Sequence, residues 1–199
     1  MFPLGSVLMP AMPLPLRVFE PRYLAMIDDV LDRATLDFGV VLIERGQEVG
    51  GGDARFDVGT MARVEQVESS DGLAALVARG SQRFRVDSWL PDDPWPRAEL
   101  TLVEPLVWDE DDRALLDDAE RTVRHSLARA SEFVDTTWDA TVELSHDPVD
   151  RSWQLAGIAP LGTLDQVGLL ESHSTAHLLA NIDALTRAAL ELIELQDEN

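Results

Sequence analysis

Apolar and polar positions in the first half of the chain alternate at strand spacing. Asp37 to Glu44 (DFGVVLIE) is a short, β-branched apolar run of the kind that forms a buried strand. Thr60 to Val67 follows a glycine, and Leu73 to Ala78 returns after Asp71-Gly72, a dipeptide suited to a primed hairpin turn with positive φ, so these two strands should pair. In Arg83 to Trp89, Phe84 and Val86 alternate with Arg83, Arg85 and Asp87, which predicts one buried face and outward cations at 83 and 85; Leu100 and Leu102 repeat the pattern. One helix interrupts the strands. From Pro21 the apolar positions Leu24, Ile27 and Leu31 fall three and four apart, and proline is harmless at a first helical position, where its missing N–H would have no partner anyway.

After Trp108 the spacing becomes helical. Asp109 to Asp112 set four acids before a pattern of Leu115, Leu116, Ala119, Val123, Leu127 and Ala130, with arginines toward its end, as the helix dipole favours. Asp150 to Ile158 and Thr163 to Leu170 predict two short helices separated by Pro160 and Gly162. A last helix over about Thr175 to Gln196 carries Leu178, Ile182, Leu185, Ala189 and Leu192 on one face. The stretch Gly46 to Ala54 reads as a loop.

Composition narrows the chemistry. The 199 residues contain no Cys, which removes disulfides, thiolate nucleophiles and cysteine metal sites and fits a reducing compartment. All 16 basic residues are Arg; without Lys there is no Walker-type phosphate lysine, Schiff base or Ser–Lys dyad. The net charge is −21, and residues 101 to 199 hold 6 Arg against 21 acids while residues 1 to 100 hold 10 against 16. That balance opposes nucleic acid or an anionic membrane as the main partner. Residues 1 to 16 are apolar but interrupted by four prolines and lack a basic start, so neither a signal peptide nor a spanning helix is expected, and a cytoplasmic protein is.

Six segments in order resemble the Lon N-terminal domain, the Lon substrate-binding domain, in a stand-alone bacterial form without ATPase or protease modules. They are FPLGSVLMP (2–10), LPLRVFEPRYLAMIDD (14–29), FGVVLI (38–43), VGT (58–60), DGLAALVARGSQRFRV (71–86) and, more loosely, SWQLAGIAPLGTLDQVGLLES (152–172). The resemblance implies an α+β fold: a PUA-like β pseudobarrel with one inserted helix over residues 1–107, followed by an acidic all-helical bundle over 108–199. It also implies a non-enzymatic module for unfolded or extended polypeptide segments, adaptor or chaperone-like, with a protease or chaperone as a further candidate partner and no cofactor. The alternative is a PUA-like RNA-binding protein, which the acidic charge disfavours.

Several clusters invite sharper readings. Glu20 and Arg22 of the EPRY corner, with Arg83, are a candidate structural ion pair, since a half-buried carboxylate needs a cation. Phe19, Tyr23, Trp89, Trp95 and Trp108 are candidate polypeptide-contacting residues, expected where the β half meets the acidic helices, because aromatic walls suit an extended peptide; their competing role is core. Arg83 and Arg85 offer an anion-binding stripe or ordinary surface. His173 and His177, four apart near Glu171, allow a metal in principle but lack a third fixed ligand. His146-Asp147 with Ser145 or Ser152 imitates pieces of a hydrolytic triad without a nucleophile elbow. No catalytic, cofactor or metal residues are assigned.

Overall fold

The period-two runs of the first half are strands of one sheet in the computed structural model, which describes residues 1–45, 54–70, 72–132 and 137–197. The chain divides into two units, Met1–Pro105 and Leu106–Asn199. The first holds β1 (Phe2–Leu4), β2 (Pro13–Val18), helix α1 (Pro21–Leu31), β3 (Asp37–Arg45), β4 (Ala54–Ser70), β5 (Leu73–Leu90) and β6 (Arg97–Leu102). The sheet is open, in the order β1-β3-β4-β5-β2, with β6 also on β5; only β1 and β3 run parallel.

The hairpin β4–β5 turns as its sequence demands: Ser70 is paired with Leu73, and Gly72 has φ +81°, the left-handed region that costs glycine nothing. Asp71 itself lies outside the described residues, as does nearly all of the Gly46–Ala54 loop. Two differences from the pattern have physical causes. Leu73–Ala78 and Arg83–Trp89 are one continuous strand: the pairing with β4 passes from Ala62–Gly80 to Thr60–Arg83 through a register shift, and the extra β5 residue resets the side-chain alternation before Arg83. A Cβ on Gly80 would lie 2.1 Å from the Met9 carbonyl oxygen, so only glycine admits the segment that crosses there. That segment is tied down by Ala11 N–H to Gly80 O at 2.8 Å and Gly80 N–H to Met12 O at 2.9 Å.

The second difference is β2, which the prolines at 13 and 15 conceal. As the end strand of the sheet it needs partners along one edge only, where prolines are tolerated. The core of this unit lies under the opposite face of the sheet from Arg17 and Ala75: Val18, Ala74, Leu76 and Ala78 are buried, with Phe84 and the α1 residues Tyr23, Met26, Ile27 and Val30.

In the second unit a short 3₁₀ turn (Glu110–Asp112), started by the Asp109 side chain accepting from Asp111 N–H at 3.0 Å, leads into α2 (Arg113–Ala130). There follow α3 (Pro148–Ile158), α4 (Thr163–Leu170) and α5 (Thr175–Asp197), and no strand occurs among its described residues. Leu116, Val123 and Leu127 of α2, Trp153 and Leu155 of α3, and Leu178, Leu179 and Ile182 of α5 are its buried core. Thr122 donates to Asp183 at 2.5 Å, and Thr175 hydroxyl bonds Asp112, so polar groups pair where α2 meets α5. Glu120 accepts from Arg124 (2.8 Å) and Arg151 (2.6 Å), while Arg124 also reaches the Ala140 and Val142 carbonyls. Burial pushes the Glu120 carboxyl up, but the hydrogen bonds and charges of the two arginines outweigh it and hold its pKa below the ordinary value.

Two outcomes are expected. Gly80→Ala should cost about 1–3 kcal/mol in denaturant unfolding, because backbone rather than a flexible side chain must move. The Glu120 contribution is full above its unfolded value near 4.5 and disappears as pH falls through the lower folded value. Glu120→Gln should therefore flatten the acid side of the stability-against-pH curve measured by urea unfolding.

Candidate functional site

The EPRY corner is a helix start held by three stacked groups. Glu20 stands at the N-cap with extended backbone (ψ 131°) and makes no side-chain cap bond; its carbonyl accepts from Leu24 N–H at 2.9 Å. Its carboxylate accepts instead from Arg22 Nε at 3.1 Å, both side chains being under one-fifth exposed. The Arg22 guanidinium lies 4.5 Å from the Tyr23 ring centroid, and Phe2 stacks on the same ring at 4.3 Å and 12°. A ring offers two faces, so Tyr23 is held between the cation and the second ring.

Arg83 is not an outward cation, as the alternation implied. It is 4% exposed beside the fully buried Phe84: the chain after β6 stays paired here, Val103 N–H donating to the Arg83 carbonyl at 2.9 Å, while Arg83 Nη2 donates to the Glu104 carbonyl at 3.2 Å and Gln82 to that of Val103 at 3.0 Å. Burial, then the Arg85 charge, lowers its pKa from the ordinary value. An anion-binding stripe over Arg83 and Arg85 therefore does not form.

The five aromatic candidates fare differently. Tyr23 is 2% exposed, which removes its ring from any client and makes it core. Trp89 is half-buried; its indole N–H donates to Asp57 at 3.0 Å, and the Arg55 guanidinium lies 4.9 Å from its centroid. Trp108, in the second unit, donates to Glu110 at 3.0 Å with Arg113 5.7 Å from its ring. Phe19 is 58% exposed. Trp95 is half-buried and lines a cleft of about 480 Å³ in the first unit, walled by Met26, Val30, Phe38 and Leu100 and bordered by Asp29 and Arg97. The Met1 amine donates to the Pro96 carbonyl at 2.8 Å at the same cleft; burial, then the Arg55 and Arg33 charges, lower its pKa to about 5.

One surface is absent from the pattern-derived candidates. Residues Leu73, Ala75 and Val77 of β5 point away from the core, yet all are apolar; Leu73 is 41% exposed and the other two are half-buried. Phe19 follows Val18, the partner of Ala74, so it continues this apolar face at the Leu73 end. A groove of about 500 Å³ lies along it, lined by Pro15, Arg17, Gln66 and Glu68 from the strands on either side. The run LAALVA carried the signal: a strand with one solvated face should alternate, and this one is apolar on both faces.

The remaining clusters are occupied in shaping helices. Asp147 caps α3 by accepting from Val149 and Asp150 N–H, Ser145 hydroxyl accepts from Asp147 N–H at 3.1 Å, and buried Ser152 donates to the Pro148 carbonyl at 2.7 Å. The His173 and His177 rings lie 4.3 Å apart, tilted by 30°, and His177 pairs with Asn181 at 3.1 Å. Among the described residues no group of three or more His, Cys, Asp or Glu is arranged to hold a metal, and no helix is long and apolar enough to cross a membrane.

An α+β chain with one open, mostly antiparallel sheet carrying a single helix between its strands, then a helical unit, defines a class of domain with known relatives. The family model of the ATP-dependent protease La (LON) substrate-binding domain matches residues 1–187, and the chain belongs to that family. A Lon N-terminal domain protein from Xanthomonas campestris is 28% identical with a TM-score of 0.65, covering 92% of this chain and 95% of that one. The N-terminal domain of the Mycobacterium avium complex Lon protease shares the fold at 20% identity, with a TM-score of 0.60 and coverage of 93% and 96%. The Lon protease of Syntrophus aciditrophicus is 24% identical over 96% of this chain and 25% of its own length; Lon protease 2 of Herpetosiphon aurantiacus is 25% identical over 97% and 24%. The chain thus spans about a quarter of these relatives.

The two aromatic residues of the corner should separate in unfolding experiments. Tyr23→Ala removes a fully packed ring and should cost about 3–5 kcal/mol, whereas Phe19→Ala should change stability by less than about 1 kcal/mol.

Proposed function

We propose that this chain is a non-enzymatic module that captures unfolded or extended polypeptide segments. The observation that carries the reading is the match of a substrate-binding family over residues 1–187, joined to exposed apolar surface on the first unit at Phe19 and Leu73. Catalysis has no support from the side chains: the Ser145, Asp147 and Ser152 groups shape α3, and the sequence offers neither Cys nor Lys as a nucleophile. The same reading takes the β unit as a PUA-like pseudobarrel and the second unit as an acidic helical bundle, and includes an adaptor or chaperone-like role beside a protease in the cytoplasm. Phe19 and the cleft-lining Trp95 are its proposed contact residues among the aromatics; Trp89 and Trp108 contribute through their positions beside charged partners.

Reduced, carboxymethylated α-lactalbumin, which cannot fold, is the direct probe. It should bind with affinity little changed between low and high salt, as apolar capture requires, and Trp95→Ala should weaken binding while leaving the melting temperature nearly unchanged. A large fall in melting temperature would assign Trp95 to the core instead. Absence of client binding, together with steeply salt-dependent binding of a single-stranded RNA, would replace the reading with nucleic-acid recognition.

A further inference from the structure

We infer that the outward groove of β2, β5 and β4 holds an extended polypeptide segment by its apolar side chains and pairs a carboxylate of that segment with Arg17. The inference rests on the polypeptide-binding reading and gives it a second contact surface, apart from the Trp95 cleft, with its ligand chemistry.

The registers fix the layout. Arg17 is paired with Ala75 and Ala75 with Glu68; Pro15 is paired with Val77 and Val77 with Gln66. The central strand therefore presents an apolar floor of Leu73, Ala75 and Val77, and Arg17 and Glu68 stand on opposite rims, about 9–10 Å apart at Cα from two strand spacings. Ala75 is the smallest floor residue and lies between the two charges, which leaves the groove deepest there. Side chains of an extended segment repeat about every 7 Å on one face, the same repeat as the floor. Pro13 and Pro15 remove two donors from β2, so a segment on this face is gripped by side chains rather than by adding a strand at that edge.

Charge selects the occupant. Every other arginine whose side chain is described has a carboxylate, carbonyl or other electrostatic partner within the chain, whereas Arg17 has none among the described residues despite an excess of 21 acids. Glu68, across Ala75 on the other rim, likewise has no partner among the described residues, Arg17 included. Charges farther than about 8 Å are screened at physiological salt, so the acidity of the rest of the chain does not cancel Arg17 locally. A carboxylate is the planar anion that a guanidinium fork matches. It can come from a chain terminus or from an Asp or Glu side chain.

The test uses fluorescein-labelled ten-residue peptides of alternating serine and valine, read by anisotropy against the whole chain. One ends in a free carboxylate, one in an amide, one is amidated with an internal Asp, and one is amidated with an internal Lys. The free acid, the Asp peptide or both should bind about fivefold more tightly than the plain amide, as expected of a half-exposed ion pair, and which of them does identifies the carboxylate source. Arg17→Gln, an exposed substitution, should erase that preference, and Ala75→Trp should weaken all four peptides by filling the floor. Equal binding of all four, a preference for the Lys peptide, or a preference that survives Arg17→Gln overturns the inference. If the carboxymethylated α-lactalbumin still binds in those cases, the surface is wrong and the polypeptide-binding reading stands; if it too fails to bind, both fall.

Discussion

The structure of the first unit depends on one constraint: β5, 18 residues long, must find a strand partner along its whole length, with both edges paired around Ala74–Arg79 and Phe84–Arg85. One edge takes β4; the other takes β2 over its first part and β6 over its second. The change of partner happens around Gly80, where the chain from Met9 to Met12 crosses so closely that no side chain fits. β2 is delivered to its place by that crossing, and α1 follows β2 after two residues. The helix start at Glu20-Pro21, the Tyr23 ring and the Phe2 ring stacked on it are thus consequences of a single close backbone approach.

The helical unit solves a different problem, an excess of acid. Its arginines sit three or four residues from carboxylates along α2 and α5, as in Arg113–Glu110, Arg121–Asp118, Arg124–Glu120 and Arg187–Asp183. Exposed pairs of this kind contribute little each. Glu120 differs because it joins two arginines from two helices and is largely covered, so it links α2, the 140–142 segment and α3 in one network. Elsewhere, Arg55 and Arg22 combine a carboxylate with an aromatic face. Against this economy of cations, Arg17, without a partner among the described residues, is the feature on the apolar groove that points outward.

What the sequence revealed follows from which forces are local. Spacing of three and four located α1, α2 and α5, since an amphipathic helix writes its buried face into consecutive turns, and Pro160 and Gly162 marked the break between the short α3 and α4; the hairpin turn was legible because Gly72 supplies a positive φ. β2 was hidden, because its prolines make sense only once it is known to be an end strand. Arg83 was misread for a related reason: an extra β5 residue between Gly80 and Arg83 shifts the register and resets the alternation, and the backbone carbonyl of Glu104 takes the buried cation, which no local pattern announces. Among the candidate aromatics, sequence could not separate Tyr23, packed between Phe2 and Arg22, from Phe19, exposed four residues earlier. The difference is the direction of the chain at the helix start. The outward apolar column Leu73-Ala75-Val77 was present in LAALVA, but it becomes a surface only when the other face is seen to be filled by the core.

Hydroxyl-radical footprinting of exposed side chains, with and without bound carboxymethylated α-lactalbumin, tests the central claim most directly. If the outward face of β2 and β5 receives the polypeptide, labelling of Phe19, Leu73 and Val77 should fall on binding while Leu164 and Leu192, exposed on the helical unit, label as before. Protection of Leu164 or Leu192 with Phe19 and Leu73 unchanged would contradict the account.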